Sequence, residues 1–461
     1  MSKSLLKELK KFAKKEKISM HIPGHKGGRG LGAYFTKSAF EIDLTELSGT
    51  DNLQSPNGIL KTAQETCAKI FGAGESFFLT GGSSLGLRAS ILGCAKRGER
   101  LIVDRTCHKS VISAIVLGGI EPVFVYPEFD EKSGLYLGIS KDAVARAIEG
   151  NPEACGAVVT SPTYYGVCSD VSGIADVLHK NNKFLIVDEA HGAHFVFDKK
   201  NLPISALALG ADVCVQSAHK TLPALGQSAF LHVGAKAKID KPRLVRTLRA
   251  IQTTSPSYLL MASLDASVRY MNTAGRIKLS GLIKEIEGLK AEVIAKTDLV
   301  FADTNTLKKQ QDPMRIVVDF SPIDLSGKYA ENLLIEEFGI YPEMSDERYV
   351  VLIPSVSNSK REIRQLCSAL CSIGMRRFKD KKGGENIPLP KIELSCLPSV
   401  ATDAPFEAVF PKDALGRVSA GVVSACPPGA AVLVPGQRID KDAIDFIEKN
   451  DIAEKIEVVL K

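Results

Sequence analysis

The sequence has no apolar run near the roughly 18 residues that a membrane-spanning helix needs. Its N-terminus also lacks the apolar core of a signal peptide. The ten cysteines are scattered and include no CxxC pair, so no disulfide framework or zinc motif is indicated. We therefore expect a cytoplasmic protein with reduced thiols, no membrane partner and no bound metal.

Signatures of nucleotide and nucleic-acid binding are missing as well. No glycine-rich loop is followed by the Gly-Lys-Ser/Thr of a Walker motif, and no internal repeat is present. The net charge is +6, but the lysines are spread along the chain. The densest basic run, residues 7–17, has apolar residues at helical spacing, which predicts a solvated helix. No nucleic-acid partner is expected.

Two short apolar runs end in ionisable residues. Residues 184–187 lead into Asp188, and residues 213–216 lead into Ser217, His219 and Lys220. Such runs are typical of buried parallel strands that deliver side chains to the carboxyl edge of a sheet. Residues 204–210 between them look helical. A lysine and an aspartate at one edge suit pyridoxal phosphate, because the lysine forms a Schiff base and the aspartate keeps the pyridine nitrogen protonated.

Strand and helix patterns alternate along the chain, which predicts an α/β protein. We expect a large cofactor-binding domain at 55–275, with three α/β/α layers and a mainly parallel sheet. An N-terminal helix and arm would occupy 1–54 and a smaller α+β domain 276–376. The remaining residues, 377–461, would form a C-terminal segment or domain.

Two further motifs follow predicted strands. Residues 76–86 give a strand, a Gly-Gly turn and a helix start, where backbone N–H groups and the hydroxyls of Ser83 and Ser84 could bind an anion beside Gly82. A plain helix cap is the alternative. His108 ends the next strand and either has a structural role or covers an aromatic cofactor face.

Nine motifs in order carry a resemblance to a known family. They are HIPGHKGG, LTGGSSLG, DRTCHKS, TSPTYYGVCSD, VDEAHGAH, QSAHKTLPALGQSA, TTSPSY, GIYPEMSD and CPPGAAVLVPGQ. The chain resembles the Orn/Lys/Arg decarboxylase family, bacterial-type pyridoxal-phosphate enzymes of fold type I, in a short form without the N-terminal wing domain. The resemblance implies the pyridoxal-phosphate-dependent transferase fold and decarboxylation of arginine, lysine or ornithine to agmatine, cadaverine or putrescine in polyamine metabolism. Another reaction of the same cofactor, transamination or aldol cleavage, is the first alternative, and a binding role without catalysis is the second.

The resemblance also implies roles for individual residues. Lys220 would bind the cofactor covalently, Asp188 would pair with its ring nitrogen, and His108 would stack on its ring. His219 or Lys220 would donate the proton to the product. The phosphate would be held by Gly82, Ser83, Ser84, Ser217 and His219, and by Ser255 from the neighbouring subunit of a homodimer. Thr253 and Glu343 would contact the distal cationic group of the substrate.

Some positions depart from the family pattern. After the cofactor aspartate the chain has Glu189, Ala190 and His191 where long members have serine, alanine and tryptophan, so His191 is expected to contact the cofactor or substrate differently. Cys426 and Gln437 replace a usual tyrosine and glutamate. A metal site formed by Glu189, His191 and His194 is a less favoured alternative.

Overall fold

The computed structural model describes residues 18–30, 39–47, 49–378, 381, 383–425 and 429–460. The basic run at 7–17 and Cys426 lie outside these residues. The strands up to residue 275 are β1 (Ile18–Met20), β2 (Glu75–Leu79), β3 (Arg100–Asp104), β4 (Glu121–Val125), β5 (Phe129–Asp130), β6 (Leu135–Tyr136), β7 (Gly156–Thr160), β8 (Phe184–Asp188), β9 (Val213–Gln216) and β10 (Ala229–Val233). The helices there are α1 (Ile59–Phe71), α2 (Gly82–Cys94), α3 (Lys109–Gly118), α4 (Lys141–Gly150), α5 (Val171–Lys180), α6 (Ala218–Thr221), α7 (Lys241–Ile251) and α8 (Tyr258–Tyr270).

A seven-stranded sheet lies at the centre, in the order β2-β10-β9-β8-β7-β3-β4. The strands from β9 to β4 pair in parallel, whereas β10 is antiparallel to both of its neighbours. Every residue of β8 and β9 is buried. That burial explains why these strands are continuous apolar runs in the sequence.

Helices cover both faces of this sheet. Leu87 of α2, Val111 of α3 and Leu244 of α7 belong to one core cluster, and Val144 of α4 and Ile174 of α5 belong to another. Side chains of β8 alternate between the two clusters, as the period of a strand requires. The prediction of a three-layer, mainly parallel α/β fold is confirmed.

The rest of the chain forms smaller sheets and their helices. Its strands are β11 (Val300–Phe301), β12 (Ile316–Asp319), β13 (Ile340–Pro342), β14 (Met344–Ser345), β15 (Tyr349–Leu352), β16 (Phe406–Val409), β17 (Val423–Ser424), β18 (Ala431–Leu433) and β19 (Ile456–Val459). Its helices are α9 (Arg276–Lys296), α10 (Thr304–Leu307), α11 (Gly327–Phe338), α12 (Lys360–Gly374), α13 (Pro398–Asp403) and α14 (Lys441–Lys449). An antiparallel sheet has the order β11-β12-β15-β14, while β1 pairs in parallel with β13. No helix among the described residues is long and apolar enough to cross a membrane.

One sequence-based element is wrong. The segment between β8 and β9 that looked helical, 204–210, consists of hydrogen-bonded turns from Ser205 to Gly210. The buried carboxylate of Glu189 accepts hydrogen bonds from the hydroxyl of Ser205 and the N–H of Ala206, both at 2.8 Å. These bonds hold the start of the segment against the strand end. The domain ranges given above remain a prediction.

A buried arginine joins the C-terminal segment to the large sheet. Arg105 follows β3 and is 1% exposed. Its guanidinium donates to the carbonyls of Pro390 at 2.9 Å, Ala431 at 2.5 Å and Val432 at 3.0 Å. Because no carboxylate among the described residues shares these bonds, the guanidinium acts as a multi-point donor to backbone carbonyls.

Replacing Arg105 with methionine is expected to destabilise this junction by about 2–3 kcal/mol, since buried carbonyls would lose their donor. Residues 383–397 should then be cleaved faster in limited proteolysis. Arg377→Met, which removes an exposed pair with Asp298, is the matched control and should leave the cleavage rate unchanged. Equal cleavage rates in the two variants would contradict the proposed role of Arg105 in holding the C-terminal segment to the large sheet.

Candidate active site

Two neighbouring strands end at one cavity of about 480 Å³. Strand β8 ends at Asp188, and β9 is followed directly by α6, which carries His219 and Lys220. Because β8 and β9 run parallel, their carboxyl ends lie at the same edge of the sheet. Eight of the residues predicted for the site line this cavity: Gly82, Ser83, Ser84, His108, Asp188, His191, His219 and Lys220.

Lys220 lines the cavity beside the buried histidine His191. Its Nζ lies 3.0 Å from Nε2 of His191. Burial lowers the pKa of the Lys220 ammonium, and the carboxylates of Asp188 and Glu343 partly oppose this shift. An amine with a lowered pKa is a better nucleophile at neutral pH, which suits the predicted formation of a Schiff base.

Asp188 is a buried carboxyl, 4% exposed, at the floor of the cavity. One of its oxygens, Oδ1, accepts the N–H of Ala190 at 3.1 Å. Burial raises the pKa of Asp188, while Lys220 opposes the shift. A cationic ring nitrogen placed beside it would therefore relieve an unfavourable buried charge.

The start of α2 has the properties of an anion site. No side chain among the described residues caps this 13-residue helix, which leaves its first N–H groups available. Gly82 has φ +72°, a conformation that favours glycine. Ser83 lines the cavity and accepts a hydrogen bond from the hydroxyl of Ser217 at 2.8 Å. These groups fit a phosphate.

His108 lies over the cavity as the N-cap of α3. Its Nδ1 accepts the N–H of Ser110 at 3.1 Å. Burial lowers the pKa of His108 to about 4, so the imidazole is neutral at pH 7 and suited to stacking. Gly429 packs against this ring, and a Cβ atom built on it would lie 2.7 Å from the imidazole. Gly429 was not predicted to belong to the site.

The glycine-rich loop at 21–30 packs against the lysine segment. The N–H of Gly24 donates to the carbonyl of His219 at 2.7 Å. A Cβ atom on Gly24 would lie 2.6 Å from the carbonyl oxygen of Leu222. The absence of a side chain at Gly24 thus allows the loop backbone to approach α6 and the residue after it closely.

Other predicted residues lie away from the cavity. Thr253 and Ser255 are exposed in the loop before α8. Glu343 accepts the N–H of Ile22 at 2.8 Å and the hydroxyl of Tyr164, and does not line the cavity. Only Tyr164 of these two side chains reaches the cavity wall.

Two of the positions that depart from the family pattern can be located: His191 lies at the cavity and Gln437 lies away from it. His191 lines the cavity, and its ring makes an edge contact with Tyr164 at 4.9 Å between centroids. Gln437 is buried in a turn, where its amide bonds the N–H of Val434 at 3.1 Å and the carbonyl of Lys391 at 3.3 Å. Gln437 therefore shapes the C-terminal segment and does not touch the cavity.

The alternative metal site is not assembled. Glu189 bonds to Ser205, Ala206, Cys214 and Gln216 on the far side of the strand end. His194 pairs with Asp312 at 3.1 Å. Among the described residues, one group has metal-ligand spacing, Glu292 with Cys367 and Cys371, and these thiols belong to a hydrophobic core.

Some cavity residues were not identified from sequence. Carboxylates at Asp346, Glu347 and Glu385 line the wall formed by the C-terminal half of the chain. Arg315, which precedes β12, reaches His191 through the core. The acidic residues after Glu343 were visible within the GIYPEMSD motif and its next residues, but no local pattern indicated Arg315.

Comparisons with known proteins agree with this geometry. Residues 3–311 match the family model described as Orn/Lys/Arg decarboxylase, major domain. Two Bacillus subtilis proteins are each 33% identical: the uncharacterized protein YaaO, over 97% of this chain and 94% of its own, and an arginine decarboxylase, over 96% and 92%. The solved Escherichia coli constitutive lysine decarboxylase has a TM-score of 0.77 and 18% identity, covering 99% of this chain and 81% of that one.

These findings confirm the predicted fold, which is the pyridoxal-phosphate-dependent fold type I. They also agree with the lysine, buried carboxylate, uncapped helix start and neutral histidine that meet at the cavity. The family model covers most of the chain, and similarity extends over nearly the whole length of the relatives. The chain therefore belongs to the Orn/Lys/Arg decarboxylase family and is a pyridoxal-phosphate-dependent decarboxylase of a basic amino acid.

Proposed function

We propose that the substrate is arginine and the product agmatine. The observation that carries this proposal is a cavity that holds Lys220 and Asp188 together with the carboxylates of Asp346, Glu347 and Glu385. Carboxylates can bind a guanidinium through paired, charge-assisted hydrogen bonds. Support for arginine over lysine comes from the Bacillus subtilis arginine decarboxylase, which is similar along almost the full chain.

In this proposal the chain's residues hold and orient the cofactor. Lys220 anchors it covalently, Asp188 pairs with its ring nitrogen and His108 covers its ring. The phosphate lies at Gly82, Ser83, Ser84, Ser217 and His219. Pyridoxal phosphate, when bound, supplies an electron sink for the bond that breaks at the carboxylate.

Lys220 is the better candidate for the proton donor to the product. Nδ1 of His219 lies 2.9 Å from the carbonyl of Ser228, which can only accept, so Nδ1 carries the hydrogen of a neutral ring. Burial lowers the pKa of His219, which keeps the ring neutral at pH 7. Neutral His219 then has no second N–H to donate, whereas Lys220 can donate once it has taken up a proton as an ammonium.

A homodimer in the cytoplasm would complete the site. Thr253 and Ser255 are exposed and do not reach the cavity of their own chain. In the proposed dimer, Ser255 of one chain contacts the phosphate bound by the other, and Thr253 contacts the substrate.

The test is to incubate the purified protein and pyridoxal phosphate with arginine, lysine or ornithine in turn. Mass spectrometry should identify agmatine, with kcat/KM for arginine at least about tenfold above that for lysine. Cadaverine or putrescine as the main product would overturn the choice of arginine. Failure to release CO₂ from all three would contradict decarboxylation of these substrates.

Glu347→Gln is expected to raise KM for arginine by roughly 10-fold or more with a smaller effect on kcat, because a charge on the cavity wall that pairs with the substrate is lost. Glu407→Gln, which removes an exposed partner of Arg417, should leave KM unchanged. Glu343→Gln distinguishes this wall from the position that the family resemblance implied. A normal KM in Glu347→Gln with a raised KM in Glu343→Gln would move the cation site to Glu343.

A further inference from the structure

A buried chain of three basic side chains leads to the cofactor lysine. Nη2 of Arg315 lies 3.0 Å from Nδ1 of His191, and Nε2 of the same ring lies 3.0 Å from Nζ of Lys220. Arg315 is fully buried and His191 is 6% exposed. This arrangement brings two ordinarily cationic groups to opposite sides of one imidazole.

Only one placement of the hydrogen atoms on these three side chains satisfies both contacts. A guanidinium has donors only, so Nδ1 of His191 must accept from Arg315. A neutral imidazole has one N–H and one acceptor nitrogen, which places the hydrogen on Nε2. That N–H donates to Nζ of Lys220, which can accept only if the amine is uncharged. A guanidinium and an ammonium cannot both donate to one neutral imidazole.

We infer that Arg315 is a positioning residue that fixes the tautomer of His191 and thereby holds Lys220 as an uncharged amine. The inference rests on the proposed role of Lys220 and goes beyond it. Burial, with the Arg315 guanidinium beside the ring, lowers the pKa of His191 well below its usual value, in agreement with a neutral ring. A guanidinium suits this position because it keeps its charge when buried.

Lys220 needs a free electron pair to form its bond to the cofactor's aldehyde carbon. The amine nitrogen contributes that pair, and its two hydrogens leave with the aldehyde oxygen as water. An ammonium would first have to lose a proton inside the cavity. Arg315 and His191 remove that step by keeping the amine uncharged beforehand.

Arg315 has donors to spare. Among the described residues, its Nε and Nη1 have no hydrogen-bond partner. Binding of the substrate carboxylate by Arg315 is therefore the main competing role. Arg315 does not line the cavity, whereas His191 does, which favours action through His191.

The test measures the ionisation of Lys220 in the full-length protein stripped of cofactor, so it needs no substrate. Acetic anhydride labels uncharged amines, and mass spectrometry gives the labelling rate of Lys220 against pH. The midpoint for buried Lys220 should lie below that of exposed Lys278. Arg315→Met should raise the midpoint by about one unit or more, and Arg315→Lys, which keeps a donor, should shift it less. The ionisable groups around Lys220 are Asp188, His191, His219, His108, Arg315 and Glu343.

A double-mutant cycle separates an effect of Arg315 that passes through His191 from the direct effect of its charge on Lys220. In a His191→Phe background, Arg315→Met should shift the midpoint by less than half as much. An equal shift in both backgrounds, or no shift, would overturn the inference. An unchanged midpoint with a raised KM for arginine would instead assign Arg315 to the substrate carboxylate.

A second measurement needs no variant at this arginine. Nitrogen-15 chemical shifts of His191 in the unmodified protein should show a bare Nδ1 and a protonated Nε2. The signal is assigned by its loss in His191→Gln. A hydrogen on Nδ1 would overturn the inference. Because cofactor and substrate are absent, this result is independent of whether arginine is the substrate.

Discussion

Replacing Lys220 with alanine is expected to lower kcat by about 10³-fold or more, since the covalent anchor and the proposed proton donor are lost together. Borohydride reduction of the unmodified protein should attach the cofactor to the peptide that contains Lys220. In Lys220→Ala this labelled peptide should be absent. Both measurements follow from the position of Lys220 at the cavity beside Asp188 and His191.

Lys241→Ala is the matched control for this prediction. Lys241 is an exposed lysine that pairs with Glu75 at the surface. Its replacement should leave turnover and cofactor attachment unchanged. Wild-type turnover in Lys220→Ala, or reduction that attaches the cofactor to a different lysine, would contradict the assigned role.

Replacing Asp188 with asparagine is expected to lower kcat by about 10²–10³-fold. The amide has nearly the same shape but carries no charge, so it cannot keep the ring nitrogen of the cofactor protonated. Burial raises the pKa of Asp188 in the cofactor-free chain, and a bound cation would lower it again. The visible spectrum of the bound cofactor should change together with kcat.

Asp104→Asn provides a control with similar burial. Asp104 is also a buried carboxyl at a strand end, where it bonds Thr106 and Thr160, but it does not line the cavity. Its replacement is expected to reduce stability and leave the cofactor spectrum unchanged. A normal kcat and spectrum in Asp188→Asn would show that this carboxylate does not act on the cofactor.

The strands of the site could be predicted because a strand that is buried on both faces appears in the sequence as a run of apolar residues. Both faces of β8 and β9 are covered, so each begins as a continuous apolar run, at 184–187 and 213–215, that is followed by polar and ionisable residues. The antiparallel strand β10 has a similar apolar run but was not identified. A pattern of burial does not reveal strand direction, which depends on pairing along the sheet.

Other parts of the site depend on contacts between distant residues. His191 and Arg315 are 124 positions apart. The residues around each of them form no local pattern that would predict their contact. Glu189 was grouped with His191 by proximity in sequence, yet its carboxylate lies in a separate network with Cys214 and Gln216. The exposed loop at 253–255 gives no contact within the chain that would test its predicted roles.

The residues that line the cavity come from two parts of the chain and differ in their chemistry. Strand ends and helix starts of the central sheet carry Lys220, Asp188 and the anion-binding groups, whereas Glu385, Asn450 and their neighbours come from the C-terminal half. Under the proposed function, an exchange of residues on the wall formed by the C-terminal half would alter which side chain is accommodated without disturbing the reactive centre. The proposed function is in this sense modular: one part of the chain would perform a general reaction and the other would select the molecule that undergoes it.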